Sequence, residues 1–204
     1  MNTKSSLPSL TNRSLAAVIF LIIFGAFFRV FRVWIGVDFV PNCAPLTAIA
    51  LCGAVYLPRG AALFAPLAAL LISDILLNSF YHVPIFGSEM FLIYGCYLVA
   101  WFVGLRLRNH ADLPVLLGAA FGNAFLFYFV TNTMAWFANP AYAQSFSGLV
   151  QALTTGVPGY AATWTFFRNS LASDLLFTIA FFAAVKIYGR KPHAIESRAY
   201  AVSQ

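Results

Sequence analysis

Charged residues are scarce in this chain, and that scarcity decides its class. Asp, Glu, Lys and Arg make up 9% of the 204 residues, whereas an ordinary soluble domain has roughly 25%. Hydrophobic residues make up 61% of the chain. Polar side chains are too few to cover a water-facing surface, so we predict a one-domain integral membrane protein.

The sequence also lacks the motifs of several common functions. Its three cysteines form no Cys-x-x-Cys pair and its histidines have no metal-ligand spacing, which argues against a disulfide framework and a zinc site. The phosphate-binding motif Gly-x-x-x-x-Gly-Lys-Ser/Thr is missing, as are Gly-x-Ser-x-Gly and His-Glu-x-x-His. We therefore expect neither an enzyme nor a resident metal or cofactor.

The basic residues do not form a cluster of the kind that binds nucleic acid. The formal net charge is +6, but Lys and Arg stand at the ends of apolar runs, without interleaved aromatic residues. We therefore predict the lipid bilayer, and not nucleic acid, as a partner. Lys4 and Arg13 precede an apolar run as in a signal peptide, but no small-x-small cleavage site follows Phe28, so we expect a retained first helix.

Breaks between the apolar runs predict an all-α, six-transmembrane-helix bundle. The predicted helices cover about 15–33, 44–57, 60–81, 90–105, 113–137 and 168–188. This pattern divides the chain into a flexible cytoplasmic arm (1–14), a six-helix membrane domain (15–188) and a cytoplasmic tail (189–204). The connection between the last two helices is long for a structureless loop, so we expect an interfacial helix near 146–153.

The distribution of Lys and Arg predicts the orientation in the membrane. With six helices, one side carries most of the basic residues: Lys4, Arg13, Arg59, Arg106, Arg108, Lys186, Arg190, Lys191 and Arg198. The other side has Arg29, Arg32 and Arg168. The positive-inside rule then places both termini in the cytoplasm of a bacterial cell, with a multi-pass protein in its inner membrane.

Two aspartates lie inside predicted transmembrane helices. A carboxylate in hydrocarbon costs roughly 2.5 to 3.5 kcal/mol, so an intramembrane acid indicates a functional site. Ser-Asp-Ile-Leu-Leu at 73–77 recurs as Ser-Asp-Leu-Leu-Phe at 173–177. Asp74 and Asp174 each lie about six residues from the outer end of their helix, or roughly 9 Å deep at helical rise. We therefore expect them at the same depth.

Polar and aromatic residues from other segments fall in the same outer layer. Carboxylates can accept hydrogen bonds or balance a cation, and aromatic rings can stack on a substrate. The predicted substrate-binding residues are Asn42, Asp74, Asn132, Trp136, Tyr160, Trp164, Asn169 and Asp174. The alternative is that these groups only make hydrogen bonds to one another, since Asn78 and Ser170 each lie one helical turn from an aspartate.

Other residues suggest structural roles. Ala61, Ala65 and Ala69 recur at intervals of four, which favours close helix packing. Arg29 lies near the outer end of the first helix, where we expect its side chain to reach the lipid headgroups. Cys43 could ligate a soft metal as a thiolate, although a small packing residue is the simpler interpretation.

Several segments resemble a bacterial membrane family of unassigned function. They are Pro41-Asn42-Cys43-Ala44-Pro45, 65–74, Val130-Thr131-Asn132 to Trp136 and Phe167-Arg168-Asn169-Ser170 to Asp174. That family looks similar to the substrate-binding S components of energy-coupling-factor (ECF) transporters, and the match spans about 41–182. The resemblance implies a six-helix protein that captures a vitamin or other small micronutrient from the outer side for import.

The same resemblance implies partners. An S component delivers its substrate with a coupling protein and paired ATPases, which would supply the energy that this chain cannot. S components commonly carry an Ala-x-x-x-Ala surface on the first helix, whereas here Ala16, Ala17, Gly25 and Ala26 lack that spacing.

Two other functions remain open from the residues alone. A proton- or cation-coupled carrier would use the intramembrane aspartates during its cycle, and the repeated Ser-Asp segments would suit an internal 3+3 repeat. An intramembrane enzyme could use paired carboxylates as general acid and base. Neither aspartate stands in a Gly-x-Gly-Asp segment like that of the intramembrane aspartyl proteases, so the enzyme is the weaker alternative.

Overall fold

The computed structural model describes the backbone at 12–34 and 44–188, and the side chains there except at 12–18, 32, 88 and 188. The predictions for Asn42, Cys43, the tail and most of the arm concern residues outside these ranges. Helix α1 takes up residues 12–14 of the predicted arm.

The described chain is all-helical. Its seven helices are α1 Asn12–Trp34, α2 Leu46–Tyr56, α3 Arg59–Phe80, α4 Ser88–Arg106, α5 Leu113–Ala138, α6 Phe146–Leu153 and α7 Trp164–Tyr188. The short helix predicted in the long connection is confirmed as α6. The last helix begins four residues earlier than predicted, at Trp164.

Four helices, α3, α4, α5 and α7, are long and apolar enough to cross a membrane, which supports a membrane protein. The prediction of six such helices is therefore confirmed only in part. The described apolar stretch of α1 is Ile19–Phe31, and α2 has 11 residues. At 1.5 Å per residue α2 is roughly 17 Å long, about half the hydrocarbon thickness of a bilayer.

Helix α2 forms the centre of the bundle. It contacts α3, α4, α5 and α7, and nine of its residues are buried. Helix α4 approaches the α2 backbone closely at Gly104. A Cβ atom added to Gly104 would lie 2.3 Å from the Leu51 carbonyl oxygen of α2. Large apolar side chains of the surrounding helices, such as Phe91 and Phe125, are exposed. They face the region that lipid would occupy around a membrane bundle.

The predicted small-residue face of α3 is a packing surface. Ala61, Ala65 and Ala69 are all buried in the core. Helix α1 packs along α3, and a Cβ atom on its Gly25 would lie 3.2 Å from that of Ala69. Small side chains let these backbones approach, as expected for helices that pack inside a membrane.

Arg108 closes the end of α2. Its Nε donates to the Ala54 carbonyl at 2.7 Å, and its Nη2 donates to that of Leu57 at 2.6 Å. These carbonyls belong to the last turn, where no intrahelical donor remains. Burial lowers the pKa of Arg108, and nearby Arg59 lowers it further. The end of α4 and the start of α3 thus bring basic residues to one end of the bundle.

Candidate functional site

An ion pair connects α1 and α3. Arg29 Nη1 donates to Asp74 Oδ1 at 2.8 Å and to Ser73 Oγ at 2.5 Å. Tyr94 of α4 donates its hydroxyl to Asp74 Oδ2 at 3.4 Å. The side chains of Arg29 and Asp74 are 23% and 15% exposed. The guanidinium of Arg29 thus offsets the cost of the Asp74 charge inside the bundle, and contact of Arg29 with the headgroups stays a prediction.

The local partner expected for Asp74 is also different. Asn78 donates its side-chain amide to the carbonyls of Pro84 and Ile85, at 3.3 and 3.1 Å. These carbonyls lie in the irregular connection to α4, where no helix supplies donors. Asn78 therefore stabilises the loop between α3 and α4, and the partners of Asp74 come from neighbouring helices.

A cavity of about 180 Å³ lies where six helices meet, and we call it the central cavity. Helices α1, α2, α3, α4, α5 and α7 each contribute to its wall. Its polar lining consists of Arg29, Thr47, Tyr97, Ser170 and Asp174. Its apolar lining consists of Ala44, Leu70, Leu77, Ile93, Ala124 and Phe127.

Asp174 is the carboxylate of the central cavity. The residue is 4% exposed, and Thr47 of α2 lines the same cavity. The adjacent Ser173 donates to the Ala44 carbonyl at 3.0 Å, which fixes this turn of α7 against the start of α2. Within the described residues the ion pair is that of Arg29 and Asp74, so no cation there pairs with Asp174.

The two aspartates approach the same part of the bundle by different routes. Asp174 lines the central cavity directly, whereas Asp74 lies behind Arg29, which does line it. Tyr97 is near enough to interact electrostatically with all three groups. The helices that carry the two aspartates, α3 and α7, both pack against α2, so α2 lies between Asp74 and Asp174.

Two predicted binding residues line a different cavity. Asn132 and Tyr160 face a depression of about 270 Å³ between the end of α5 and the connection to α7, which we call the loop cavity. The Asn132 amide donates to the Tyr128 carbonyl of its own helix at 2.7 Å. The sequence predicts both residues in one site with the aspartates, but Asn132 and Tyr160 line the loop cavity and not the central cavity.

The predicted tryptophans lie at the two ends of the connection between α5 and α7. Trp136 donates its indole N–H to the Ala143 carbonyl at 2.8 Å, and Gln144 donates to the Trp136 carbonyl at 2.8 Å. The Arg168 guanidinium lies 5.4 Å from the Trp164 ring centroid. Neither tryptophan lines the central cavity.

Asn169 is buried beside the site without lining it. Its side-chain oxygen accepts two hydrogen bonds from Arg168, at 3.3 and 3.2 Å. Its amide nitrogen is buried and has no partner among the described residues. It precedes Ser170, which does line the central cavity.

Sequence reasoning missed several cavity residues. Thr47, Tyr97 and Phe127 stand in apolar helices whose pattern marks no particular face, so no local signal distinguishes them from packing residues. Arg29 carried a usable signal, since it is a cation in the last turns of α1, and Asp74 lies in the last turns of α3. Ser170 was noted only as a local partner of Asp174.

A larger groove has a different character. It measures about 730 Å³, and aromatic and aliphatic side chains of α1, α2 and α7, including Phe24 and Phe177, form its wall. The Tyr56 hydroxyl is its one polar side-chain group. A groove with so few polar groups cannot orient a polar ligand, so the central cavity is the better candidate site.

No group of three His, Cys, Asp or Glu residues that could hold a metal occurs within 12–34 and 44–188. The chemistry available in the central cavity is instead that of one carboxylate, one guanidinium paired to a second carboxylate, hydroxyls and aromatic rings. Such a set can bind and orient a small polar molecule.

Comparison with known proteins gives a family without a function. No curated protein matches the chain, and no solved structure matches it. One family profile, described as "Family of unknown function (DUF6580)", matches residues 9–195, which is nearly the whole chain. The protein belongs to this family of unknown function.

Proposed function

We propose that this protein is a substrate-binding membrane transport protein, similar to an S component, that captures a small micronutrient from the outer side for import. The observation that carries the proposal is the central cavity, whose wall contains Asp174, Arg29 and Tyr97. Ionisable residues inside transmembrane helices are costly, and they typically mark substrate or ion pathways. Six helices converge on this space, which suits a bundle that encloses its substrate.

The size of the cavity favours a small substrate. Pockets for drug-sized ligands measure roughly 300 to 1,000 Å³. The central cavity measures about 180 Å³, so it suits the smaller end of the vitamin and micronutrient range unless the helices separate on binding. The five polar lining residues come from four helices, α1, α2, α4 and α7, which would let them orient one molecule.

For topology, the proposal is six membrane crossings with both termini cytoplasmic in a bacterial inner membrane. The basic residues gathered at the inner helix ends support this orientation. It can be tested with Ala143→Cys and His110→Cys in a cysteine-free background. A membrane-impermeant maleimide should label the first variant in intact cells and the second only after lysis; the reverse pattern would contradict the orientation.

Energy would come from outside the chain, through an ECF-type coupling protein and ATPases as partners. A specific observation favours a second candidate, a proton- or cation-coupled carrier: Asp174 is buried without an ion pair among the described residues. Uptake into liposomes that contain only this protein, driven by an imposed gradient, would favour the carrier. Uptake that needs ATP and the partner proteins would favour the S component.

We do not propose an enzyme. A general acid and base acting as a carboxylate pair need two acids facing one substrate. Here Asp74 is held by Arg29 and Ser73, and only Asp174 lines the central cavity.

The proposal is tested by purifying the protein in detergent and identifying co-purifying small molecules by mass spectrometry. We expect the wild type and Asp112→Asn to retain the same solute, and Asp174→Asn to lose it. Asp112 is a matched control because it is an exposed acid at the N-terminus of α5, away from the cavity. Retention of the solute by folded Asp174→Asn and Asp74→Asn would reject the site.

A further inference from the structure

We infer that the solute bound in the central cavity is a small organic cation, with Asp174 as its counter-ion and with Tyr97 and Phe127 against its apolar part. This inference rests on the proposed function and narrows it to one class of substrate. It combines three observations: the charges around the cavity, the aromatic rings in its wall and the scarcity of oxygen ligands.

The first observation is the balance of charge. Among the described residues at the cavity, Arg29 is compensated by Asp74 at 2.8 Å, and Asp174 remains as a further carboxylate. The phenols of Tyr94 and Tyr97 interact with these groups and carry no charge when protonated. An ionised Asp174 thus gives the site a net negative charge, which a monovalent cation would neutralise. Electrostatic attraction of this kind is strong in a medium of low dielectric constant.

The second observation is the aromatic wall. The Tyr97 and Phe127 rings both line the cavity, with centroids 6.1 Å apart and planes inclined by 58°. Aromatic rings can pack against the apolar part of an organic cation, and their faces attract its ammonium or guanidinium group. The hydroxyls of Thr47 and Ser170 can accept hydrogen bonds from the N–H groups of such a cation.

The third observation separates an organic cation from a metal ion. Hard metal cations take six or more oxygen ligands, or retain several water molecules. The cavity offers the carboxylate of Asp174 and a few hydroxyls as oxygen ligands, and much of the remaining lining is aliphatic, including Leu70, Leu77 and Ile93. A cation with its own carbon atoms would make use of that apolar lining. Since a water molecule occupies about 30 Å³ in the liquid, the volume of the cavity equals that of roughly six waters.

The test uses monovalent organic cations as probes on the purified full-length protein in detergent. The cations are ethanolammonium, guanidinium, imidazolium and choline, and the matched non-cations are ethylene glycol, urea and acetate. We expect at least one cation to raise the unfolding temperature of the wild type and of Asp112→Asn, with no shift in Asp174→Asn. Phe127→Leu, which changes no charge, should raise the dissociation constant of that cation several-fold.

Several results would overturn the inference. One is that ethylene glycol, urea or acetate raises the unfolding temperature as much as the cations do. Another is that a cation still raises the unfolding temperature of Asp174→Asn. The third is that none of the four cations raises the unfolding temperature of the wild type. If Asp174→Asn does not fold, Phe127→Leu decides, because an unchanged dissociation constant would exclude the aromatic wall as the site.

The proposed function can fail or survive separately from this inference. A neutral or anionic solute that co-purifies with the wild type and is lost from Asp174→Asn would preserve the binding function and reject the cation. A cation that raises the unfolding temperature of the wild type, but that is not taken up with any energy source, would preserve the cation site and reject transport.

Discussion

Removing one member of the Arg29–Asp74 pair should destabilise the protein more than removing both. The pair joins α1 to α3 and is mostly buried, with side-chain exposures of 23% and 15%. Removing one partner of a fully buried pair costs roughly 3 to 5 kcal/mol, whereas exposed pairs contribute about 0 to 1 kcal/mol. For this partly exposed pair we expect a loss of about 2 kcal/mol for Arg29→Met and for Asp74→Leu.

The double variant separates the charge effect from packing. Once both charges are gone, neither is left unpaired among apolar side chains, so the combined loss should be about 1 kcal/mol. The coupling energy is then about 3 kcal/mol, near the upper end of values measured for contacting residues. The free energy of unfolding can be measured by reversible denaturation in mixed detergent micelles, followed by tryptophan fluorescence.

Arg106→Met is the matched control for the loss of a cation. Arg106 is an exposed residue at the end of α4, where its guanidinium lies 4.6 Å from the Phe102 ring centroid. Its removal should cost under about 1 kcal/mol. Additive losses in the double variant, with a coupling energy below about 0.5 kcal/mol, would show that Arg29 and Asp74 do not stabilise one another.

Three further variants test the packing around the site. Gly104→Ala should destabilise the bundle by about 1 to 3 kcal/mol, because the new Cβ would meet the α2 backbone and force α4 away from it. Arg108→Met should cost about 2 kcal/mol, since the last carbonyls of α2 would lose a charged donor. Both are measured by the same unfolding assay. Tyr128→Phe removes the hydroxyl that donates to the Leu153 carbonyl, so hydrogen exchange should become faster in α6.

Each of these variants has a control in the same chain. Gly118→Ala, where an added Cβ meets nothing within 4 Å, should leave stability unchanged or raise it. Arg106→Met also serves for Arg108, and a loss as large as that of Arg108→Met would contradict the capping role. Tyr142→Phe serves for Tyr128, because its hydroxyl has no hydrogen bond to a described residue. Unchanged exchange in α6 of Tyr128→Phe would show that the hydroxyl does not hold this helix.

The sequence alone was sufficient for the helices and for part of the site. Each helix, including α6, was predicted to within a few residues from the apolar runs and from the prolines and glycines between them. The reason is that helix formation in a membrane protein depends mainly on local composition and length. The intervals of four in α3 predicted its packing face. Asp174 was found because a carboxylate among apolar residues stands out in the sequence itself.

The tertiary structure decided which faces of these helices meet. In a soluble protein the polar face of a helix marks its exposed side, but lipid and protein core are both apolar, so that guide is largely missing here. The central position of α2, the pairing of Arg29 with Asp74 and the contribution of Tyr97 to the cavity all depend on helix rotation. The position of Asn132 near the end of α5 and the path of the connection that holds Tyr160 place both residues at the loop cavity, away from the aspartates. The sequence thus determined a helical membrane protein with two costly acids, and helix packing determined which of those acids lines a cavity.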